Sequence, residues 1–208
     1  MALIIAGIGN PGAEYEKTRH NAGRMAVELL AKKEGVGEFS FNKTSNALVA
    51  KGTVDGVKAV LVLPETFVNN SGKAVAAFVK TPKAAADLLV IHDDLDLPLG
   101  TIKMVAGRGS GGHKGVESII RALKTKDFAR IRIGISAARK KNPASAKALA
   151  GEQAKKFKDT EKVIKHVIGK FKPAEEAALK KVLKKTVDAA RLFATDGTDA
   201  ATMFANTR

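Results

Sequence analysis

The chain predicts a single α/β globular domain spanning residues 1–208, with a mixed twisted sheet flanked by helices, and three observations carry that expectation. Continuous apolar runs at 2–8 and 88–91 read as strands covered on both faces. Segments with helical spacing alternate with such strands, the pattern of an α/β sheet. A length of 208 residues at 45% hydrophobic content suits one full core.

Taken in order, the first strand at 2–8 is followed by a helix over 21–34, with Met25, Val27, Leu29 and Leu30 at helical spacing and Gly35 as its stop. Alternating segments at 46–51 and 57–63 predict a hairpin turned by Asp55-Gly56. A helix is expected over 71–79, then a buried strand at 88–91 that ends in the acidic stretch His92-Asp93-Asp94-Leu95-Asp96. A short strand over 102–105, a glycine-rich loop over 107–115, a helix over 116–123 and an alternating strand over 129–135 follow. Residues 137–162 are polar and basic and contain Pro143 and Gly151, which marks an excursion from the core. The last helix starts at Pro173, carries Glu175 and Glu176 in its first turn and the stripe Leu179, Val182, Leu183, Val187, Ala190 and Phe193, and is expected to stop near Gly197.

With no cysteine, the chain has no disulfide, thiol nucleophile or cysteine metal site, and it fits a reducing compartment. Its longest apolar run is too short to span a bilayer and lacks the flanks of a secretion signal, so a cytoplasmic protein is expected. The net charge of +15 is uneven: lysines crowd 139–185, whereas 87–96 is acidic. A polyanionic partner fits that excess, and so does a merely solvated lysine-rich surface. One Tyr, nine Phe and no Trp leave little for base stacking, so backbone and shape recognition is favoured over base reading.

The chemistry-bearing stretch is Gly9-Asn10-Pro11-Gly12 through Arg19-His20-Asn21-Ala22-Gly23, which sets a histidine and two carboxamides after a buried strand, where ligand sites of open α/β sheets form. Gly7-Ile8-Gly9-Asn10-Pro11-Gly12 has the spacing of a dinucleotide-binding loop. Pro11-Gly12 makes a turn rather than a helix start, however, and the place of a ribose-binding carboxylate is taken by the helix end Ala31-Lys32-Lys33-Glu34-Gly35. The glycines therefore shape a turn. His20 is the group that titrates nearest neutral pH, which suits it to take a proton from water.

Further motifs complete a pattern: Pro64-Glu65-Thr66-Phe67-Val68-Asn69-Asn70-Ser71-Gly72, His92-Asp93-Asp94-Leu95-Asp96-Leu97-Pro98-Leu99-Gly100, Gly109-Ser110-Gly111-Gly112-His113-Lys114-Gly115 and Arg130-Ile131-Arg132-Ile133-Gly134-Ile135. In this order and spacing the chain resembles bacterial-type peptidyl-tRNA hydrolases from about residue 3 to 136, and again from about Val163 through Gly197.

The resemblance implies metal-independent, cofactor-free hydrolysis of the ester joining a peptide to the 3′-terminal ribose of tRNA. It implies a monomer whose partner is the acceptor stem and 3′ end of peptidyl-tRNA. It assigns His20 as general base, Asp93 as the acceptor that fixes its tautomer, and Asn10 and Asn69 as amides that bind the oxyanion or peptide carbonyl and hold water. Tyr15 and Phe67 match pocket-lining positions, and Lys103 and Arg132 match basic residues that hold the 5′-phosphate of the acceptor stem.

The chain departs from the family pattern at Lys114, where the family has an asparagine with a substrate-binding role; lysine keeps donors, loses the acceptor and adds charge. Val68 replaces a common methionine, and Val105 occupies a position that is commonly basic. Two other readings compete: a non-catalytic RNA-binding protein on the same fold, and a metal-dependent phosphohydrolase built on His92, Asp93, Asp94 and Asp96.

Overall fold

The N-terminal apolar run forms β1 (Leu3–Gly7) in the computed structural model, which describes residues 2–136 and 160–207. The chain then makes α1 (Ala22–Glu34), β2 (Ser40–Asn42), β3 (Ala47–Val54) and β4 (Val57–Pro64). Next come α2 (Ser71–Ala76), β5 (Leu88–Pro98), β6 (Ile102–Ala106), α3 (Lys114–Leu123) and β7 (Ala129–Ser136). Two helices close the described chain, α4 (Thr160–Val167) and α5 (Glu176–Asn206). The expected excursion at 137–162 lies outside the described residues up to 159, and 160–162 form the first turn of α4.

The seven strands lie in the order β2-β3-β4-β1-β5-β7-β6. The central pairs β1/β4, β1/β5 and β5/β7 are parallel, and β2/β3, β3/β4 and β6/β7 are antiparallel, so the sheet is mixed as expected. Parallel central strands need cover on both faces. One face is covered by α1 and α5, through Ala26, Val27 and Leu30 with Val182, Val187 and Ala190. The other is covered by α2 and α3, through Val75, Val116 and Ile119.

Local chemistry explains the boundaries that the sequence predicts correctly. Gly35 takes the left-handed conformation that ends α1. Asp55 and Gly56 both have positive φ, the two-residue turn whose twist matches a hairpin.

Three expectations are corrected. The helix expected over 71–79 ends at Ala76, because the chain tightens into bonds such as Phe78 N–H to Val75 O on its way to the Thr81-Pro82 turn. The strand expected over 88–91 does not end at the acidic stretch 92–96; β5 runs on through it to Pro98, paired with β7 up to Asp94 and again at Pro98 across an irregularity. The last helix does not stop at Gly197. That glycine kinks it at φ 81°, and it resumes to Asn206 because Ala201 and Ala205 are buried and the Asn206 amide bonds both backbone groups of Met104 on the edge strand β6.

Strand order places the site. The chain leaves β1 and returns as β4 on one side and β5 on the other, so the carboxyl ends of these strands bound a crevice at a topological switch point. Asn10 follows β1, 67–70 follow β4, and Asp93 lies midway along β5, whose parallel pairing with β1 ends at Ile91. Gly23 brings α1 onto that end: a Cβ there would lie 2.2 Å from the carbonyl oxygen of Ile91.

Candidate active site

A cavity of about 730 Å³ opens at this crevice. Its polar end carries Asn10, His20, Asn69, Asp93 and His113, and its apolar wall carries Phe67, Val68, Leu95, Val163, Ile164, Val167 and Ile168.

His20 sits in the 3-10 turn Arg19–Asn21 that leads into α1, and its Nδ1 lies 2.7 Å from Oδ1 of Asp93. Asp93 is only 2% exposed, so its carboxylate requires partners, and it has two imidazoles: Nε2 of His113 lies 2.9 Å from the same oxygen. His113 is the N-cap of α3, and its Nδ1 accepts the backbone N–H of Val116, which leaves the proton on Nε2 to donate to Asp93. With Nδ1 of His20 likewise donating, Nε2 of His20 is the free basic nitrogen.

The electrostatics follow from burial and pairing. Burial opposes charging of His20, but the Asp93 carboxylate and its hydrogen bond outweigh that and raise the imidazole pKa above its ordinary value. Burial alone would raise the Asp93 pKa; His20 and His113 instead hold it well below the usual carboxylate range. His92 is buried against the ring of His113 and bonds the Asp93 carbonyl through Nδ1, and burial with His113 beside it keeps it neutral.

Asn10 is held from both sides. Its backbone N–H donates to Asn21 Oδ1, Asn21 Nδ2 donates to its carbonyl, and its own Oδ1 accepts from Val68 N–H at 2.9 Å. The side chain therefore presents its NH₂ as a donor, and its oxygen is already engaged, which narrows the expectation that this amide also holds water. Asn69 is exposed in the turn Val68–Asn70 at the cavity.

The other predicted site residues separate. Phe67 lines the cavity and is 58% exposed. Tyr15 does not line it; its ring instead meets Phe67 edge-on at 6.4 Å between centroids, so it buttresses a wall rather than forming one. Lys114 lines the cavity mouth, with its ammonium 3.7 Å from Glu117 one turn along α3. Lys103 and Arg132 lie outside the lining, as cross-strand partners on β6 and β7, and Arg132 is already paired with Asp94.

Among the described residues, the side chains that could jointly ligate a metal are His20, Asp93 and His113, not the acidic set His92, Asp93, Asp94 and Asp96. Asp94 is occupied by Arg132, and the Asp93 oxygen by the two imidazoles. His113 is the site residue that sequence reasoning missed, although it stood in a quoted motif. A histidine closing a glycine-rich loop just before a helix was the available signal.

The chain matches the family model described as peptidyl-tRNA hydrolase over residues 4–208. It is 39% identical over 204 residues to the peptidyl-tRNA hydrolase of Prochlorococcus marinus, covering 98% of this chain and 93% of that protein. To the peptidyl-tRNA hydrolase of Halalkalibacterium halodurans it is 38% identical over 191 residues, covering 91% and 92%. The crystal structure of peptidyl-tRNA hydrolase from Acinetobacter baumannii superposes with a TM-score of 0.82 at 31% identity, covering 99% of this chain and 95% of that one.

Proposed function

The chain belongs to the peptidyl-tRNA hydrolase family, and we propose that it hydrolyses the ester between a peptide and the 3′-terminal ribose of tRNA with His20 as general base. The observation that carries this reading is the 2.7 Å contact of His20 Nδ1 with Asp93 Oδ1 at the polar end of the cavity.

In this mechanism Nε2 of His20 takes a proton from water as the water oxygen bonds to the ester carbonyl carbon. Asp93 stabilises the imidazolium that forms. The NH₂ groups of Asn10 and Asn69 donate to the developing oxyanion, and the Asn10 amide, held by its bond from Val68 N–H, acts without reorganisation. Collapse of the tetrahedral intermediate breaks the bond to the ribose 3′-oxygen, which recovers the proton from His20. Free tRNA and a peptide acid result. Two imidazoles on one carboxylate make Asp93 the fixed centre of the site, with His113 locking the oxygen to which His20 is bound.

Lys103 and Arg132 supply positive charge for the acceptor-stem phosphate, and the family relationship supports a monomeric cytoplasmic enzyme. No helix among the described residues is long and apolar enough to cross a membrane. A non-catalytic RNA-binding role leaves the buried dyad and its amides without a purpose.

The test is release of N-acetyl-aminoacid from N-acetyl-aminoacyl-tRNA in EDTA, with unblocked aminoacyl-tRNA as control. Cleavage of the blocked ester alone is expected. No cleavage, or cleavage only when metal is restored, overturns the reading.

A further inference from the structure

The structure assigns Arg19 as a positioning residue that fixes the turn bearing His20 by clamping it to the segment after α4, an inference that rests on His20 being the general base. Arg19 is 5% exposed although it is charged, and its guanidinium has three kinds of partner. Nη2 donates to Glu175 Oε2 at 2.7 Å, Nη1 makes a long 3.5 Å contact with the carbonyl of Ile135 near the end of β7, and the guanidinium carbon lies 4.8 Å from the centroid of Phe171. The backbone continues the clamp: Arg19 N–H donates to Gly169 O at 3.0 Å, and Thr18 bridges Lys170 in antiparallel fashion.

Each partner of the clamp is itself fixed. Glu175 Oε2 also accepts the backbone N–H of Lys172, capping the turn that leads into α5. His166 on α4 bonds the same Ile135 carbonyl through Nε2. One guanidinium thus joins the end of β7, Phe171 and Glu175 in the segment between α4 and α5, and the residue next to the base.

A flat guanidinium suits this task because it forks to two acceptors while stacking on an aromatic face, which an ammonium cannot do. The proton acceptor must sit within a few tenths of an ångström of its productive place, and small misplacements of catalytic groups cost large factors in rate. In the same turn Asn21 bonds the backbone of Asn10 and the His20 side chain has Asp93 as its hydrogen-bond partner, while Arg19 itself does not line the cavity. Arg19 therefore acts through His20 rather than on the substrate.

Arg19→Lys tests this, because it keeps the charge and removes the fork and the stacking. The expected result is a fall in kcat of about tenfold or more with KM nearly unchanged. The acid limb of kcat/KM should move to lower pH, because a loosened His20 loses part of its hold on Asp93. The His20 pKa read by NMR titration of its imidazole should move with it. If the lysine variant does not fold, Glu175→Gln, which preserves an acceptor for the Lys172 cap, gives the same three readings. A folded variant with wild-type kcat, acid limb and imidazole pKa overturns the inference. A wild-type imidazole pKa that fails to match the wild-type acid limb instead overturns the general-base reading, so the two failures are distinguishable.

Discussion

Arg132 is bound through Nε to Oδ2 of Asp94, at the sheet edge where Lys103 is its cross-strand partner. A phosphate that engages Arg132 must share it with, or take it from, a carboxylate whose other oxygen accepts the backbone N–H of Asp96 at the cavity mouth. Lys103→Ala and Arg132→Ala should each raise KM more than they lower kcat, since phosphate contacts act alike on substrate and transition state. Each should flatten the slope of log affinity against log salt by about one. An unchanged slope for either variant removes that residue from phosphate recognition.

The same pairing predicts the behaviour of Asp94→Asn. With its carboxylate neutralised, Arg132 is freed for phosphate, and tRNA should bind more tightly at low salt with a steeper salt dependence. Filter-binding titrations across a salt series measure this. Weaker binding at every salt would show that the pair holds Arg132 in its productive orientation.

In the proposed mechanism the pH dependence follows from His20. A general base works unprotonated, so kcat/KM should fall as pH drops through its pKa, and that acid limb should lie above the ordinary imidazole value of 6.5 because Asp93 raises it. Asp93→Asn removes the stabilising charge: the limb should shift to lower pH and the rate should fall by about 10²–10⁴-fold. A pH–rate profile of the variant that matches wild type contradicts the role of Asp93.

Lys114 stands 3.7 Å from Glu117, and its side chain is 76% exposed, so its charge is partly answered and well hydrated. Lys114→Asn should hold or raise kcat and weaken tRNA binding more at low salt than at high salt. Lys114→Ala should lose affinity without any gain in kcat. If both variants equal wild type across the salt range, the ammonium serves only the helix surface.

Much of this arrangement was legible in the sequence where local chemistry decides the outcome. The apolar run of β1, the Asp55-Gly56 turn and the Gly35 helix stop are set within a few residues, and the structure shows each of them. The family resemblance led to the expectation that His20 and Asp93 meet, and they lie 2.7 Å apart. What stayed hidden depends on distant partners. The extension of β5 through its acidic residues requires β7 alongside, and α5 continues past Gly197 because Asn206 finds Met104, 102 residues away. The second imidazole on Asp93 comes from a loop 20 residues along the chain, and the Arg19 clamp closes on Glu175 over a separation of 156 residues. No local period announces such contacts.

Gly23 offers a test of the architecture independent of catalysis. Because a Cβ there would lie 2.2 Å from Ile91 O and 2.8 Å from Ile8 O, Gly23→Ala should force α1 away from β5 and destabilise the fold by about 1–3 kcal/mol. Urea unfolding monitored by circular dichroism measures it. Unchanged stability would mean that helix and strand do not approach so closely.

The most direct test of the central claim is single-turnover cleavage of N-acetyl-aminoacyl-tRNA by His20→Ala at saturating enzyme, with tRNA affinity measured in parallel. The account predicts a rate reduced by about 10²–10⁴-fold with folding and tRNA affinity nearly intact. A folded His20→Ala enzyme that cleaves the ester at close to the wild-type rate would contradict it.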